Sequence, residues 1–472
     1  MRVASGFLAS AVGVTAAWLP EVITRDVAII GGGASGAYAA VKLKEDFNKT
    51  IVLVEKANRL GGHINTYEDS KTGNWYDFGV QTWNDYGPAT AFFERMGVPV
   101  STPGRAVLVS RYADFTTGAT VNFMPPANAD RVAALSRFLN ATAPYEQYFL
   151  PGYWNWPARD SIPEDLLLPF SDFVDKYDIR DAVHQVFQVT GMGVGDMSEA
   201  LTLYVLGAFG PPMMRAFLGQ GASFTPDTRR NIALYEAIQA RLGADVLLST
   251  VVTASVRTSL GHVLYTKTAD GKARIIVARK LLMAIEPIAA NMAPFSLDLT
   301  EQSVLSRFKF STVQAGLVAH PSLPINGTVI NTPAASAPNN YLALPKPDFV
   351  VRFDYMGGSD LFRVMVVGAG AVTAERARDM VRQDLARLMG AGTLPAVTAN
   401  PAAAAELEFR AWVNHGAMHM HASADELREG FIQKLYALQG RRGTWWTGGA
   451  FSVQFQSILW AYDDVLLPKM LA

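Results

Sequence analysis

The sequence predicts an α/β fold in which a parallel-sheet domain, gathered from separated stretches of chain, is interleaved with an α+β domain and a helical lobe. Three observations predict it. An apolar run, Val27-Ala28-Ile29-Ile30, passes through a glycine-rich turn into helix-forming residues from Ala37 to Lys44. A second apolar run, Ile51-Val52-Leu53-Val54, follows closely, giving the crossover length that a parallel pair of strands requires. From about Asp130 to Gln220 the pattern becomes helical, interrupted by proline and glycine, and strand-like segments then return.

The later segments fill in this plan. Val246 to Val256, His262 to Thr266 and Arg274 to Ala284 alternate and are joined by turn residues such as Asp270-Gly271, so hairpins are expected beside the parallel domain. Phe308 to Val318 and Phe362 to Val367 read as longer strands, followed by a helix from Thr373 to Met389 with a charged outer face. The alanine-rich Pro401 to Ala405 reads as a connection, and the stretch from Leu427 as a helix, a glycine turn and a final apolar helix. The expected division is 26–125, 226–295 and 427–472 for the parallel-sheet domain, 126–225 for the helical lobe, and 296–426 for a sheet and helix flooring a substrate cavity.

Composition narrows the class of partner. The 472 residues exceed one ordinary domain and can bury a large core. Lys plus Arg total 41 against 42 for Asp plus Glu, so no bulk field steers the protein toward nucleic acid or acidic membranes. The absence of cysteine rules out disulfides, thiol catalysis, thiolate metal sites and covalent attachment of a prosthetic group through sulfur. At the N-terminus, Arg2 precedes a small-residue and apolar run from Val3 to Leu19, with Thr15-Ala16-Ala17 as a cleavage site. Residues 1–25 are therefore expected to be a signal peptide, placing the protein in the secretory pathway or outside the cell, and the run is too short for a transmembrane segment. Sequons at Asn48, Asn140 and Asn326 would accept glycans there.

The glycine-rich turn carries the chemistry. Gly31, Gly33 and Gly36 fit G-x-G-x-x-G: the first permits the turn, the second lets backbone approach a pyrophosphate, and the third packs helix on strand, with Ala34 and Ser35 opening the helix. Glu55, beside Lys56 at the end of the second strand, can accept from both ribose hydroxyls and would repel a 2′-phosphate. A Rossmann-type domain binding FAD or NAD is the consequence.

Two glycine-bearing segments further along the chain separate FAD from NAD. Arg59-Leu60-Gly61-Gly62-His63 and Asp77-Phe78-Gly79-Val80-Gln81 resemble the flavin-containing amine oxidase and phytoene desaturase superfamily. Val251-Val252-Thr253, Leu281 to Pro287 and Trp445-Trp446-Thr447-Gly448-Gly449-Ala450 match its adenine-contacting strand, the strand leaving that domain, and its C-terminal flavin turn. Within the superfamily, Tyr76 to Gln81, Gly443 to Phe451 and Ile458-Leu459-Trp460-Ala461-Tyr462 look most like fungal β-cyclopiazonate dehydrogenase relatives. The resemblance implies non-covalent FAD contacted by Arg59, Gly61, Gly62, His63, Gly79, Val80, Gln81, Val252, Gly448, Gly449 and Ala450.

The resemblance also implies hydride abstraction from a C–H bond of a hydrophobic small molecule stacked over the flavin, with electrons passed to oxygen or another acceptor, and oxidative cyclisation of a secondary metabolite as one outcome. An FAD-dependent double-bond isomerase of an unsaturated lipid, a flavin amine oxidase and a non-catalytic scaffold are the alternatives. Gln81, His415 and Trp446 are the catalytic candidates, with Trp83 and Trp445 beside them and aromatic packing as the competing role.

Two departures stand out: His63 replaces the usual Arg, and no lysine is evident to hold a water near the flavin. Gly368-Ala369-Gly370 imitates a second nucleotide loop but reads as a turn into an N-cap at Thr373. His415, His419 and His421 have nearly metal-ligand spacing, yet the resemblance places them in the strand and loop leading to the flavin turn, and the carboxylates Asp425 and Glu426 are only adjacent, which argues for no metal.

Overall fold

The computed structural model describes residues 20–104, 107–396 and 406–472. The proposed cleavage site at Thr15-Ala16-Ala17 and the Pro401–Ala405 connection lie outside these residues. The first strand is Glu21–Ile30, so residues 21–25, expected to belong to the leader, are strand and pair in parallel with Arg274–Ala278. The β-branched Val22, Ile23 and Thr24 explain the extension, and the charged residues around them disguised it in an apolar-run reading.

The first sheet runs Thr250–Arg257, His262–Thr268, Ala273–Met283, Glu21–Ile30, Ile51–Val54, Val246–Leu247, with Thr444–Trp446 pairing in parallel against Leu281–Met283. The segment expected to be one strand from Val246 is two. It breaks at Ser249, whose φ is +48°, so Val246–Leu247 closes one edge of the sheet and Thr250–Arg257 begins a hairpin at the other. Helix Ala34–Glu45 connects the first two strands in sequence. It is buried almost all round because the C-terminal helix Gln456–Leu471 packs on it, with Tyr38 stacked on Trp460 at 5.4 Å.

The second sheet runs Glu408–His421, Lys309–Ala319, Phe362–Gly368, Phe349–Tyr355, Gly327–Asn331 and Val109–Ala113. Val109–Ala113, expected in the first domain, lies parallel to Gly327–Asn331 at this sheet's edge. Helix Ala374–Gly390 covers one face, burying Ala377, Val381, Leu385 and Leu388 against Val318, Val350, Phe353 and Val364. Thr373 caps that helix, its hydroxyl accepting from the Arg376 amide at 3.2 Å. The region from Asn128 to Phe217 is helical, as in Asn128–Thr142, Arg180–Val189 and Thr202–Ala208, and packs on the second sheet where Phe187 meets Phe349 at 6.0 Å. No described helix is long and apolar enough to cross a membrane.

Candidate active site

The first strand ends at Ile30, and Gly31 turns the chain with a φ of +102° that glycine alone adopts without strain. The next amide, Gly32 N–H, donates to Glu55 Oε2 at 2.7 Å, and Ala57 N–H donates to Glu55 Oε1 at 2.7 Å. The Glu55 carboxylate is thus fixed by backbone donors on both oxygens while each keeps acceptor capacity for a sugar hydroxyl. Lys56, next in the chain, is exposed. A β-carbon on Gly62 would lie 3.0 Å from Gly33 Cα, and Gly61 N–H donates to Gly32 O at 2.9 Å, so the second glycine pair lies directly on the first loop.

Helix Ala34–Glu45 starts at Gly33 with no side-chain cap and no acidic residue in its first turn. Its free N–H groups and dipole therefore favour an anion. Ser35 is 4% exposed and its hydroxyl has no partner among the described residues, an orphan that a diphosphate oxygen would satisfy. Gly448, at φ +99°, has nothing within 4 Å of the position a β-carbon would take, so the C-terminal turn fronts open space, whereas Gly449 is crowded by Gln454 and Ala450 is buried. Gly79 passes so near His63 O that a β-carbon would sit 2.2 Å from it. Val252 lies beside a bulge, and the chain reaches it through Ser249 and Thr250, whose amides bond to Ala57 O at 2.8 Å and Glu55 O at 2.9 Å. An acid clamp for ribose, a bare helix N-terminus for diphosphate and a backbone path stripped of side chains fit FAD.

A histidine pair lies beside this cradle. His63 and His415 stack with centroids 4.7 Å apart, and His63 Nε2 is 3.2 Å from His415 O. Asn65 Nδ2 lies 3.1 Å from both His63 O and His415 Nε2, while Arg59 Nη2 donates to Asn65 Oδ1 at 2.6 Å. Burial, with the neighbouring His63 and Arg59, holds the His415 pKa well below the ordinary imidazole value, so the ring is neutral. Arg59, expected near the diphosphate, bonds to Leu60 O and Asn65.

The other sequence candidates are spread more widely. Gln81 is exposed and donates to Asp77 O at 3.3 Å, and the half-buried Val80 offers its carbonyl to Asn231 Nδ2 at 2.8 Å. Trp446 is 1% exposed and stacks on Phe451 at 5.7 Å, with an indole N–H that has no partner among the described residues. Trp83 is sealed in the core, donating to Asn231 Oδ1 at 2.7 Å. His415, His419 and His421 do not converge: His419 lies against Gly193, and His421 Nδ1 is 2.8 Å from His419 O. Among the described residues no group of His, Asp or Glu is arranged to hold a metal ion.

Sequence reasoning missed Asn65 and Asn231. Asn231 is fully buried, and its backbone N–H donates to Asp77 Oδ2 at 2.9 Å, so it ties Asp77, Val80 and Trp83 together. Burial raises the Asp77 pKa to about 6, against the hydrogen bonds from Thr66 and Asn231. No spacing rule marks Asn65; the one available signal for Asn231 is its place just before the helix Ile232–Leu242.

Comparison with known proteins agrees with this geometry. Residues 29–96 match the family model of the NAD(P)-binding Rossmann-like domain. Beta-cyclopiazonate dehydrogenase of Aspergillus flavus is 31% identical over 454 residues, covering 96% of this chain and 94% of that protein. FAD-dependent oxidoreductase pigF of Monascus ruber is 31% identical over 454 residues, covering 96% and 93%. Among solved structures, a CLA-producing fatty acid isomerase from P. acnes superposes with a TM-score of 0.73 at 17% identity, covering 95% of this chain and 99% of that one, which shows a shared fold. With relatives of this identity along nearly its whole length, the chain belongs to the family of FAD-dependent oxidoreductases that includes beta-cyclopiazonate dehydrogenase.

Proposed function

We propose that this oxidoreductase removes a hydride equivalent from a C–H bond of a hydrophobic, uncharged small molecule. The observation that carries the reading is the apolar seam where the helical lobe meets the second sheet. Phe187, Met192, Val313, Phe349, Val351 and Met420 are buried there as part of the molecule's main apolar core, and the strand holding His415 runs into it. FAD supplies the two-electron acceptor when bound. The chain's own contribution is placement and exclusion of water, and the neutral His415 adds a polar group without a charge. The dehydrogenase among the relatives supports net oxidation, with oxygen or another acceptor restoring the cofactor.

Anaerobic mixing of the purified yellow protein with indole, polyene and amine substrates tests this. Bleaching by an uncharged apolar compound is the expected result. Conversion without bleaching and without consumption of any acceptor would replace the reading by a double-bond shift. Entry into the secretory pathway is part of the same proposal. Asn48, Asn140 and Asn326 are all exposed in the structure, which supports their use as glycan acceptors. Glycosidase treatment of the protein from its native source should lower its mass; an unchanged mass speaks against it.

A further inference from the structure

We infer that Asn65 locks His415 in the Nδ1–H tautomer, so that His415 offers one hydrogen-bond donor to substrate and the enzyme selects molecules with an acceptor, such as a carbonyl oxygen, beside the oxidised C–H bond. The inference deepens the proposed function and rests on it for the identity of the ligand, but the tautomer itself follows from geometry.

A guanidinium only donates, so the Asn65 atom 2.6 Å from Arg59 Nη2 is the carbonyl oxygen. The amide nitrogen therefore faces the other way, and its two hydrogens meet two partners, His63 O at 3.1 Å and His415 Nε2 at 3.1 Å. An amide nitrogen cannot accept, so His415 Nε2 must present its lone pair, and the neutral ring carries its proton on Nδ1. Protonating Nε2 would set two N–H groups against each other, in keeping with the depressed basicity of this ring. The partner ring has the opposite arrangement: His63 Nε2 faces the His415 carbonyl, a pure acceptor, and so bears the hydrogen.

The result is a chain of fixed direction, Arg59 to Asn65 to His415, that ends on Nδ1–H. That atom makes no hydrogen bond to any described residue, and His415 as a whole residue is not fully buried. A donor of this kind, with no formal charge, discriminates strongly against molecules that leave it unpaired. Asn65 touches neither cofactor nor substrate in this scheme and is a positioning residue.

The test uses the FAD-bound enzyme labelled with ¹⁵N-histidine, with the His415 signal identified by its loss in His415→Asn. The Nδ1–H coupling pattern, unchanged through the neutral range, is the expected result; an Nε2–H pattern or a titrating ring overturns the inference. Asn65→Asp, which can only accept, should move the proton to Nε2, and a spectrum unchanged in that variant also overturns it. In kinetics, His415→Gln should raise KM for acceptor-bearing substrates roughly tenfold, whereas His415→Asn, whose amide can stand at the Nδ1 position, raises it less. Equal bleaching by analogues lacking the acceptor removes the substrate half of the inference. The tautomer measurement on the unaltered enzyme is independent of substrate, so failure of every uncharged compound to bleach the flavin would sink the proposed function while leaving the Asn65 assignment standing.

Discussion

A β-carbon placed on Gly36 would stand 1.9 Å from the carbonyl oxygen of Gly31. The helix Ala34–Glu45, whose N-terminus suits a diphosphate, is seated on the loop that precedes it, with no room for a methyl group. Gly36→Ala should cost about 1–3 kcal/mol of stability and push the loop out of register with the diphosphate. Gly33→Ala meets its nearest neighbour at an ordinary 3.8 Å and should fold normally. Thermal melts with flavin-fluorescence titrations check both; an unaltered melting temperature in Gly36→Ala would contradict the packing argument.

Glu55→Gln keeps the shape of the clamp and replaces one charged acceptor by a donor that opposes either the Gly32 or the Ala57 amide. Hydrogen bonds to charged groups contribute about 1.5–3 kcal/mol, so the Kd for FAD should rise about 10- to 100-fold. Equilibrium titration of apoprotein measures this.

Beneath the C-terminal turn, Arg257 and Glu301 form an ion pair whose side chains are both 0% exposed. Arg257 also bonds to Phe295 O at 2.9 Å and, through Nη2, to Thr444 Oγ1 at 2.8 Å, at the start of the strand that leads into Trp446. Arg257→Met leaves the buried Glu301 carboxylate only Arg442, at 3.4 Å, and the Asp298 amide, at 2.9 Å, and should cost up to about 3–5 kcal/mol. Adding Glu301→Leu should recover much of that loss in a denaturant titration, and no recovery would mean that the arginine acts mainly through its other partners.

His184 lies where the helix Arg180–Val189 faces Phe123 and Tyr341, and burial together with Arg352 lowers its pKa to about 4. The unfolded chain protonates near the ordinary imidazole value, so between there and about 4 it binds a proton that the native state refuses. This residue's contribution is therefore intact above the unfolded pKa and lost as pH falls toward 4. Relative to its own stability at neutral pH, His184→Gln should gain on wild type by on the order of 1 kcal/mol at about pH 5. Parallel stability curves for the two proteins would refute the assignment.

The nucleotide cradle was legible because its parts are local: a strand, glycines and a helix lie within one short span, and Glu55 ends the very next strand. The C-terminal turn was singled out only through resemblance, since nothing in Thr447-Gly448-Gly449 by itself points to a flavin. Features built from distant partners stayed hidden. Val109–Ala113 finds its place only through Gly327–Asn331, and Asn65 acquires its role only when Arg59 and His415 arrive on either side. Trp446 shows the opposite difficulty: its place in the motif suggested a reactive surface, and the fold encloses it against Phe451.

The pairing of Leu281–Met283 with Thr444–Trp446, and of the helix at residue 34 with the helix ending at residue 471, carries a consequence for biosynthesis. During translation the glycine loop is made long before the strand and helix that brace it. Until then the nascent chain exposes the face of Tyr38 that stacks on Trp460, so a chain that stops short of Trp460 should be cleaved by proteases more readily than the whole one.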